Sequence, residues 1–171
     1  MERRSFFGIV TAAMVALFLP SAADAGNLPS PSGKVILTVT GNIEGSNVGD
    51  EAQFDRELLE AIGTHTFVTS TPYTEGQSTW RGVLLSDLLA YAGANGNELV
   101  MTAIDLYELE TTREFVDGHN ILLAFEKDGK RLRVRDKGPV WAIFDWDSDP
   151  SLDNDDVKAH SVWQLKTIRI K

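Results

Sequence analysis

The chain has 171 residues, a formal net charge of −9 and no cysteine. The excess of carboxylates argues against binding to nucleic acids or anionic membranes, because both require clustered positive charge. Without cysteine there are no disulfides, so stability must come from packing alone. The length left after removal of a leader suffices for one domain with one hydrophobic core.

Residues 1–25 predict a secretory signal peptide. Two arginines near the start precede an apolar stretch at 6–19, and small residues at 23 and 25 offer a peptidase site. The stretch is short for a bilayer span, which needs roughly 20 residues, so an uncleaved anchor is the alternative interpretation. The paired arginines also look like the start of a twin-arginine export signal, as against an ordinary basic n-region. Either route predicts an exported protein.

Hydrophobic periodicity divides the remainder into a lead-in and a single domain. Residues 26–34 are rich in Pro, Ser and Gly and predict a flexible lead-in, and residues 35–171 form the domain. Its predicted elements are, in chain order, a strand at 35–40, a helix at 50–62, a strand at 65–70, a loop at 71–76, a helix at 83–92, one bent strand or two strands over 99–111, strands at 121–125, 131–134 and 140–144, and a closing strand at 163–170.

Local signals place several of these boundaries. Asp50 is the predicted N-cap of the first helix and Gly63 its stop, while Gly93 ends the second helix. The pair Asp128-Gly129 predicts a tight hairpin turn. Strands dominate and two helices lie between them, which predicts an α+β fold with a mixed sheet.

Three sequence blocks carry a more specific signal than the periodicity. They are WRGVLLSDLL at 80–89, RDKGPVW at 135–141 and HSVWQL at 160–165. Together they resemble the sulfite-oxidase-type molybdopterin-binding domain, above all its short secreted members, over residues 35–171. The resemblance implies a sulfite-oxidase-like fold with few helices and a pocket for the pterin part of molybdopterin.

Enzymes of this family hold molybdenum through a cysteine thiolate, which this chain lacks. The resemblance therefore implies a periplasmic, non-catalytic protein that binds a pterin, without molybdenum, and reports it to the sensor domain of a membrane-bound signalling enzyme, in a cyclic-di-GMP circuit. One alternative is a molybdopterin-dependent oxidoreductase with a non-cysteine metal site. Another is a structural or chaperone-like protein without a ligand.

A pterin pocket needs acceptors and donors for the ring edge and flat partners for its two faces. Asp105 would accept from the edge with Tyr107 as a wall, or it is only a turn residue. Tyr73, where the short relatives often carry Trp, would stack on the ring or is an exposed aromatic residue without a role. The predicted ligand-binding residues are Thr71, Tyr73, Asp105, Tyr107, Arg135, Lys137, Trp146, His160 and Ser161.

The remaining candidates come mainly from the second and third blocks. Arg135 and Lys137 match the family turn that borders the pterin pocket, and a solvated charged turn is the alternative. His160 stands where relatives carry Arg; it would donate to the ligand, or it is a satisfied surface histidine. Trp146 falls in a polar loop, whereas Trp163 is predicted to pack in the core, as is the tryptophan at 141.

An acidic segment near the end of the domain has the spacing of a calcium-binding loop. Pro150 occupies the position where that loop requires glycine, so we predict a solvated acidic loop instead. The oxygen-bearing residues at the ligand spacing are Asp145, Asp147, Asp149, Ser151, Asp153 and Asp156. The sequence contains no zinc-hydrolase, nucleophile-elbow or phosphate-loop motif, so nothing in it points to catalysis.

Overall fold

Two β-sheets form the framework of the protein in the computed structural model, which describes residues 26–171. The predicted signal peptide lies outside the described residues. The strands are β1 (Leu37–Gly41), β2 (Ala52–Phe54), β3 (His65–Thr71), β4 (Thr74–Leu84), β5 (Glu98–Ala103), β6 (Glu108–Thr112), β7 (Leu122–Lys127), β8 (Lys130–Arg131), β9 (Trp141–Ile143) and β10 (Leu165–Ile170). The helices are α1 (Arg56–Ile62), α2 (Leu85–Tyr91), α3 (Arg113–Gly118) and α4 (Asp155–His160), with 3-10 turns at Val134–Asp136 and Pro150–Leu152.

The first sheet has the strand order β2-β1-β10-β5-β6, and the second has the order β3-β4-β7-β8 with β9 paired to β7. In the first sheet β1 and β10 pair in parallel, with Thr38 opposite Thr167, and the other named pairs in both sheets are antiparallel. The predicted α+β class with mixed sheet and few helices is confirmed. None of the helices in the described part is long and apolar enough to span a bilayer.

The main core lies where the first sheet, α2 and one face of the second sheet meet. Helix α2 buries Leu85, Leu88 and Leu89 against it. A smaller cluster on the second sheet surrounds Trp80 and Trp141, whose rings meet edge to face at 5.1 Å between centroids. Both tryptophans are buried, which confirms the core role predicted for the tryptophan at 141.

Strand β4 has eleven residues and was missed by the periodicity over much of its length. It contains Gly82, where the ladder with β7 shifts register. A Cβ at this position would lie 2.1 Å from the carbonyl oxygen of Leu123, so glycine is what lets the two backbones approach. The strand continues to Leu84, so the helix predicted over 83–92 begins at Leu85 instead.

The helix predicted over 50–62 also begins later, at Arg56, because Ala52–Phe54 pairs with β1 as strand β2. Its N-cap is therefore Asp55 and not Asp50. The Asp55 carboxylate accepts hydrogen bonds from the backbone N–H groups of Leu58 (2.9 Å), Ser32 (2.8 Å) and Gly33 (2.7 Å). The predicted lead-in is thus hydrogen-bonded to the start of α1.

Other boundaries follow the predictions or correct them locally. The segment over 99–111 forms two strands, β5 and β6, and the pair Asp128-Gly129 has the positive φ angles of a tight hairpin turn. The strand predicted at 131–134 ends at Arg131, and the closing strand begins at Leu165. Helices α3 and α4 were not predicted.

Candidate functional site

A cleft of about 320 Å³ opens between the β3–β4 turn, the β5–β6 turn and the segment that follows α4. We call it the aromatic cleft, because three aromatic side chains line it. Its lining residues are Tyr73, Ala103, Asp105, Tyr107, Lys158, Ala159, Ser161, Val162 and Trp163. Its volume lies at the small end of the range typical of small-molecule sites.

Tyr73 is held rigidly in one wall of the cleft. Its hydroxyl donates to the backbone carbonyl of Lys158 at 2.9 Å, and its ring meets Trp163 edge to face at 5.3 Å. Thr71 supports the turn from below, since its hydroxyl accepts from the N–H of Tyr73 (3.2 Å) and bonds the hydroxyl of Thr74 (2.8 Å). Burial raises the pKa of Tyr73, so the phenol remains a donor.

Trp163 continues the aromatic wall beside Tyr73, and here the prediction of a core residue is wrong. Its side chain is 37% exposed and lines the cleft. The ammonium group of Lys137 lies 3.8 Å from the centroid of the Trp163 ring, 5.5 Å from that of Trp141 and 5.8 Å from that of Tyr73. This cation–π cluster places the positive charge of Lys137 directly behind the aromatic wall.

Asp105 and Tyr107 form the lip of the cleft on the β5–β6 turn. One carboxylate oxygen of Asp105 accepts from the N–H of Tyr107 at 3.1 Å, and the other makes no hydrogen bond within the described chain. The ring of Tyr107 is half exposed. Leu106 between them has φ +70°, a left-handed conformation that a leucine rarely adopts. The turn therefore presents a carboxylate and a phenol side by side at the opening.

Ser161 borders the cleft, but its hydroxyl is committed to the protein interior. It donates to the carbonyl of Ala142 at 2.8 Å and accepts from the indole N–H of Trp141 at 3.1 Å. Ser161 was predicted as a ligand-binding residue, and the structure places it in the lining of the cleft. Its side chain, however, fixes the wall and does not face the opening.

His160 and Trp146 lie outside the cleft. The Nδ1 of His160 donates to the Asp156 carbonyl (2.7 Å), its Nε2 bonds the Thr111 hydroxyl (2.9 Å), and its ring stacks on Phe115 with 3.7 Å between centroids. Trp146 packs against the core with an indole N–H that has no partner among the described residues. The hydrogen bonds of His160 therefore anchor α4, whose following residues line the cleft.

Arg135 and Lys137 belong to a second, larger cavity of about 920 Å³ beside the aromatic cleft. Arg135 is well exposed and lies 3.9 Å from the Asp136 carboxylate. Lys137 and Trp141 line this basic cavity and also contact Trp163, which lines the aromatic cleft. Its basic lining residues are Lys127, Lys130, Arg131, Arg133, Arg135 and Lys137.

Several carboxylates of the acidic segment accept hydrogen bonds from backbone and side-chain donors. Asp147 accepts from the N–H and hydroxyl of Ser70 and from the amide of Gln77 at 2.6–2.8 Å, and these donors lower the pKa of Asp147. Asp149 and Asn154 cap the elements that follow them. No cluster of three potential metal ligands occurs in residues 26–171.

The chain matches no protein-family model, and it matches no curated protein. Among solved structures, the sulfane dehydrogenase SoxCD from Paracoccus pantotrophus is similar, with 20% sequence identity and a TM-score of 0.54. The match covers 80% of this chain and 38% of that chain, so this protein spans well under half of the neighbour's length. At this identity the likeness extends to the fold alone.

Proposed function

We propose that the aromatic cleft binds a pterin and that the protein is a non-catalytic, periplasmic pterin-binding module. The observation that carries the proposal is the meeting of three aromatic side chains with the Asp105 carboxylate in one small cleft. A pterin offers two flat faces and an edge with adjacent N–H donors, and the cleft supplies partners for both.

Each lining group has a role in this arrangement. Trp163 and Tyr73, which meet edge to face, offer stacking surface, and Tyr107 at the lip covers the ring from outside. The free oxygen of Asp105 accepts from the aminopyrimidinone edge. Hydrogen bonds to a charged group contribute roughly 1.5–3 kcal/mol, so Asp105 supplies a large part of the affinity.

The donor set of the cleft favours an organic ligand over a molybdenum centre. Its polar side chains are a carboxylate, an ammonium group and hydroxyls, and the sequence contains no thiolate, the soft ligand that molybdenum takes in this family. A protein that only binds a ligand needs a partner that detects whether the ligand is bound. We propose that a membrane-bound signalling protein prefers either the loaded or the empty form, so that ligand shifts that equilibrium.

The test is calorimetric titration with 6-methyltetrahydropterin under anaerobic conditions. Asp105→Ala should weaken binding about 10- to 100-fold, as loss of a charged hydrogen bond predicts. Asp105→Asn keeps the acceptor for the Tyr107 N–H and should fall between wild type and the alanine variant. Asp50→Ala, at an exposed turn carboxylate outside the cleft, is the matched control and should bind as wild type.

Two results would contradict the proposal. One is equal affinity of wild type and Asp105→Ala while both retain the folded far-UV spectrum. The other is stoichiometric molybdenum in protein purified from its native compartment, which would favour the oxidoreductase alternative. Released pterin, detected by fluorescence after oxidation, without molybdenum would support binding.

A further inference from the structure

A groove of about 750 Å³ runs along the start of β1 and β10, next to the aromatic cleft. Its floor and sides are apolar and include Ile36, Leu132 and Leu165. Ile104 and Val134, at 41% and 49% exposed, stand at its edge. Exposed apolar surface of this kind marks an interaction site when it is contiguous.

The charges of this groove are all positive. Lys34, Arg131, Arg133 and Lys166 line it, each on an exposed position, and no carboxylate does, although Arg133 also pairs with Asp136 outside the lining at 2.6 Å. This one-sided lining occurs in a chain whose net charge is −9. The groove therefore presents an apolar contact area within a cationic rim, although the net charge of the protein is negative.

Exposed apolar residues continue from the groove around the mouth of the aromatic cleft. Leu106 is 77% exposed, and Tyr107 and Trp163 are also among the exposed large hydrophobic side chains. With Ile104 and Val134 they make five of the eight such side chains in residues 26–171. Their concentration on one face distinguishes it from the scattered exposure that is normal for single residues.

Gln164 ties the three segments of this face together. Its carbonyl accepts from the N–H of Ile104 (2.9 Å), its own N–H donates to the carbonyl of Lys137 (2.8 Å), and its side-chain amide donates to the carbonyl of Val134 (2.8 Å). Gln164, Lys137 and Leu106 all have positive φ, although none is glycine. Such conformations cost energy and concentrate at functional surfaces, so the face is held in a defined shape.

We propose that this groove docks a protein partner through an acidic segment that carries an apolar anchor side chain. The cationic rim pairs with the carboxylates and the apolar floor takes the anchor. A flat anionic lipid surface fits a concave site poorly, and the acidic body of the protein opposes it. A second copy of this chain is disfavoured because Trp146 and Leu152, the large apolar residues of its own acidic segment, pack into its own core.

The position of the groove suggests how docking senses the ligand, a part that rests on the proposed function. The β5–β6 turn lines the groove with Ile104 and the aromatic cleft with Asp105 and Tyr107. A ligand that binds Asp105 contacts the turn whose first residue, Ile104, forms the edge of the groove. Occupancy of the cleft thereby changes the affinity of the groove for the partner.

The test uses a fluorescein-labelled peptide of alternating glutamate and leucine, with a glutamate–serine peptide of equal charge as its comparison. Fluorescence anisotropy should show binding of the first peptide and weaker binding of the second. Arg133→Gln/Lys166→Gln should weaken the binding about tenfold, since each exposed charge pair contributes up to about 1 kcal/mol. Arg169→Gln/Lys171→Gln, which removes the same charge from exposed positions outside the groove, should leave it unchanged.

Equal loss in the two double variants, or no preference for the leucine peptide, would overturn the docking site in favour of general charge attraction. The docking site would also be overturned if the wild-type protein bound phosphatidylglycerol vesicles, or associated with itself, and Arg133→Gln/Lys166→Gln abolished that interaction. Addition of 6-methyltetrahydropterin should shift the peptide affinity of wild type and not of Asp105→Ala. If the peptide binds the groove but no pterin binds the cleft, the proposed function fails and the docking site stands; if pterin binds without shifting the peptide, the coupling fails alone.

Discussion

Replacing Asp55 by alanine should destabilise the protein by about 3 kcal/mol. The carboxylate is 2% exposed and accepts from three backbone N–H groups, one in the first turn of α1 and two in the segment before β1. Loss of an N-cap costs about 1 kcal/mol. Each of the other two bonds adds about 1 kcal/mol, since Ser32 and Gly33 are exposed and water replaces part of the interaction.

Urea denaturation followed by circular dichroism measures this loss. Thr112→Ala is the matched control, because the Thr112 side chain caps α3 through the N–H of Phe115 alone and should cost only about 1 kcal/mol. Burial by itself would raise the pKa of Asp55, but the hydrogen bonds from Leu58, Gly33 and Ser32 lower it overall. The contribution is therefore complete above about pH 4 and disappears as the pH falls through the folded-state pKa. Equal losses in the two variants at pH 7 would refute the reasoning.

Two further predictions concern the second sheet and the cleft wall. Gly82→Ala should prevent folding or cost more than about 3 kcal/mol, because its Cβ would meet the Leu123 carbonyl. Gly118→Ala is the control: a Cβ there meets nothing within 4 Å, so this variant should change the urea midpoint little. Tyr73→Phe should cost about 1 kcal/mol through the lost hydrogen bond to the Lys158 carbonyl, and full retention of stability in thermal denaturation would contradict the role given to that bond.

Sequence patterns predicted an element best where its buried apolar residues recur at one regular spacing. Strand β3 alternates and was placed within one residue, and α2 was recognised from its apolar stripe. The eleven-residue β4 was missed because its first half, from Thr74, is polar and contains Gly76. Its pairing on both sides, with β3 and β7, supplies a stability that composition does not reveal.

Some of the residues predicted to bind a ligand line the aromatic cleft and others lie elsewhere, for physical reasons. Tyr73, Asp105 and Tyr107 do converge on one cleft, because turns at the same end of two sheets bring them together. Trp163 was assigned to the core since tryptophan is usually buried, yet Lys137 supports its exposed ring by a cation–π contact between residues distant in sequence. His160 lies inside because α4 turns its ring inward, and the Asn154 cap of that helix was the overlooked signal.

The parallel pairing of β1 with β10 sets the order in which the protein is assembled. Strand β10 lies between β1 and β5, so it joins the two halves of the first sheet, although it is the last strand along residues 26–171. The nascent chain cannot complete that sheet before residue 170 has been synthesised. A truncation ending at Gln164 would leave β1–β2 and β5–β6 as separate hairpins, whereas β3, β4, β7 and β9 would keep all their partners. We therefore expect the second sheet to be the earliest folding nucleus and the first sheet to close last.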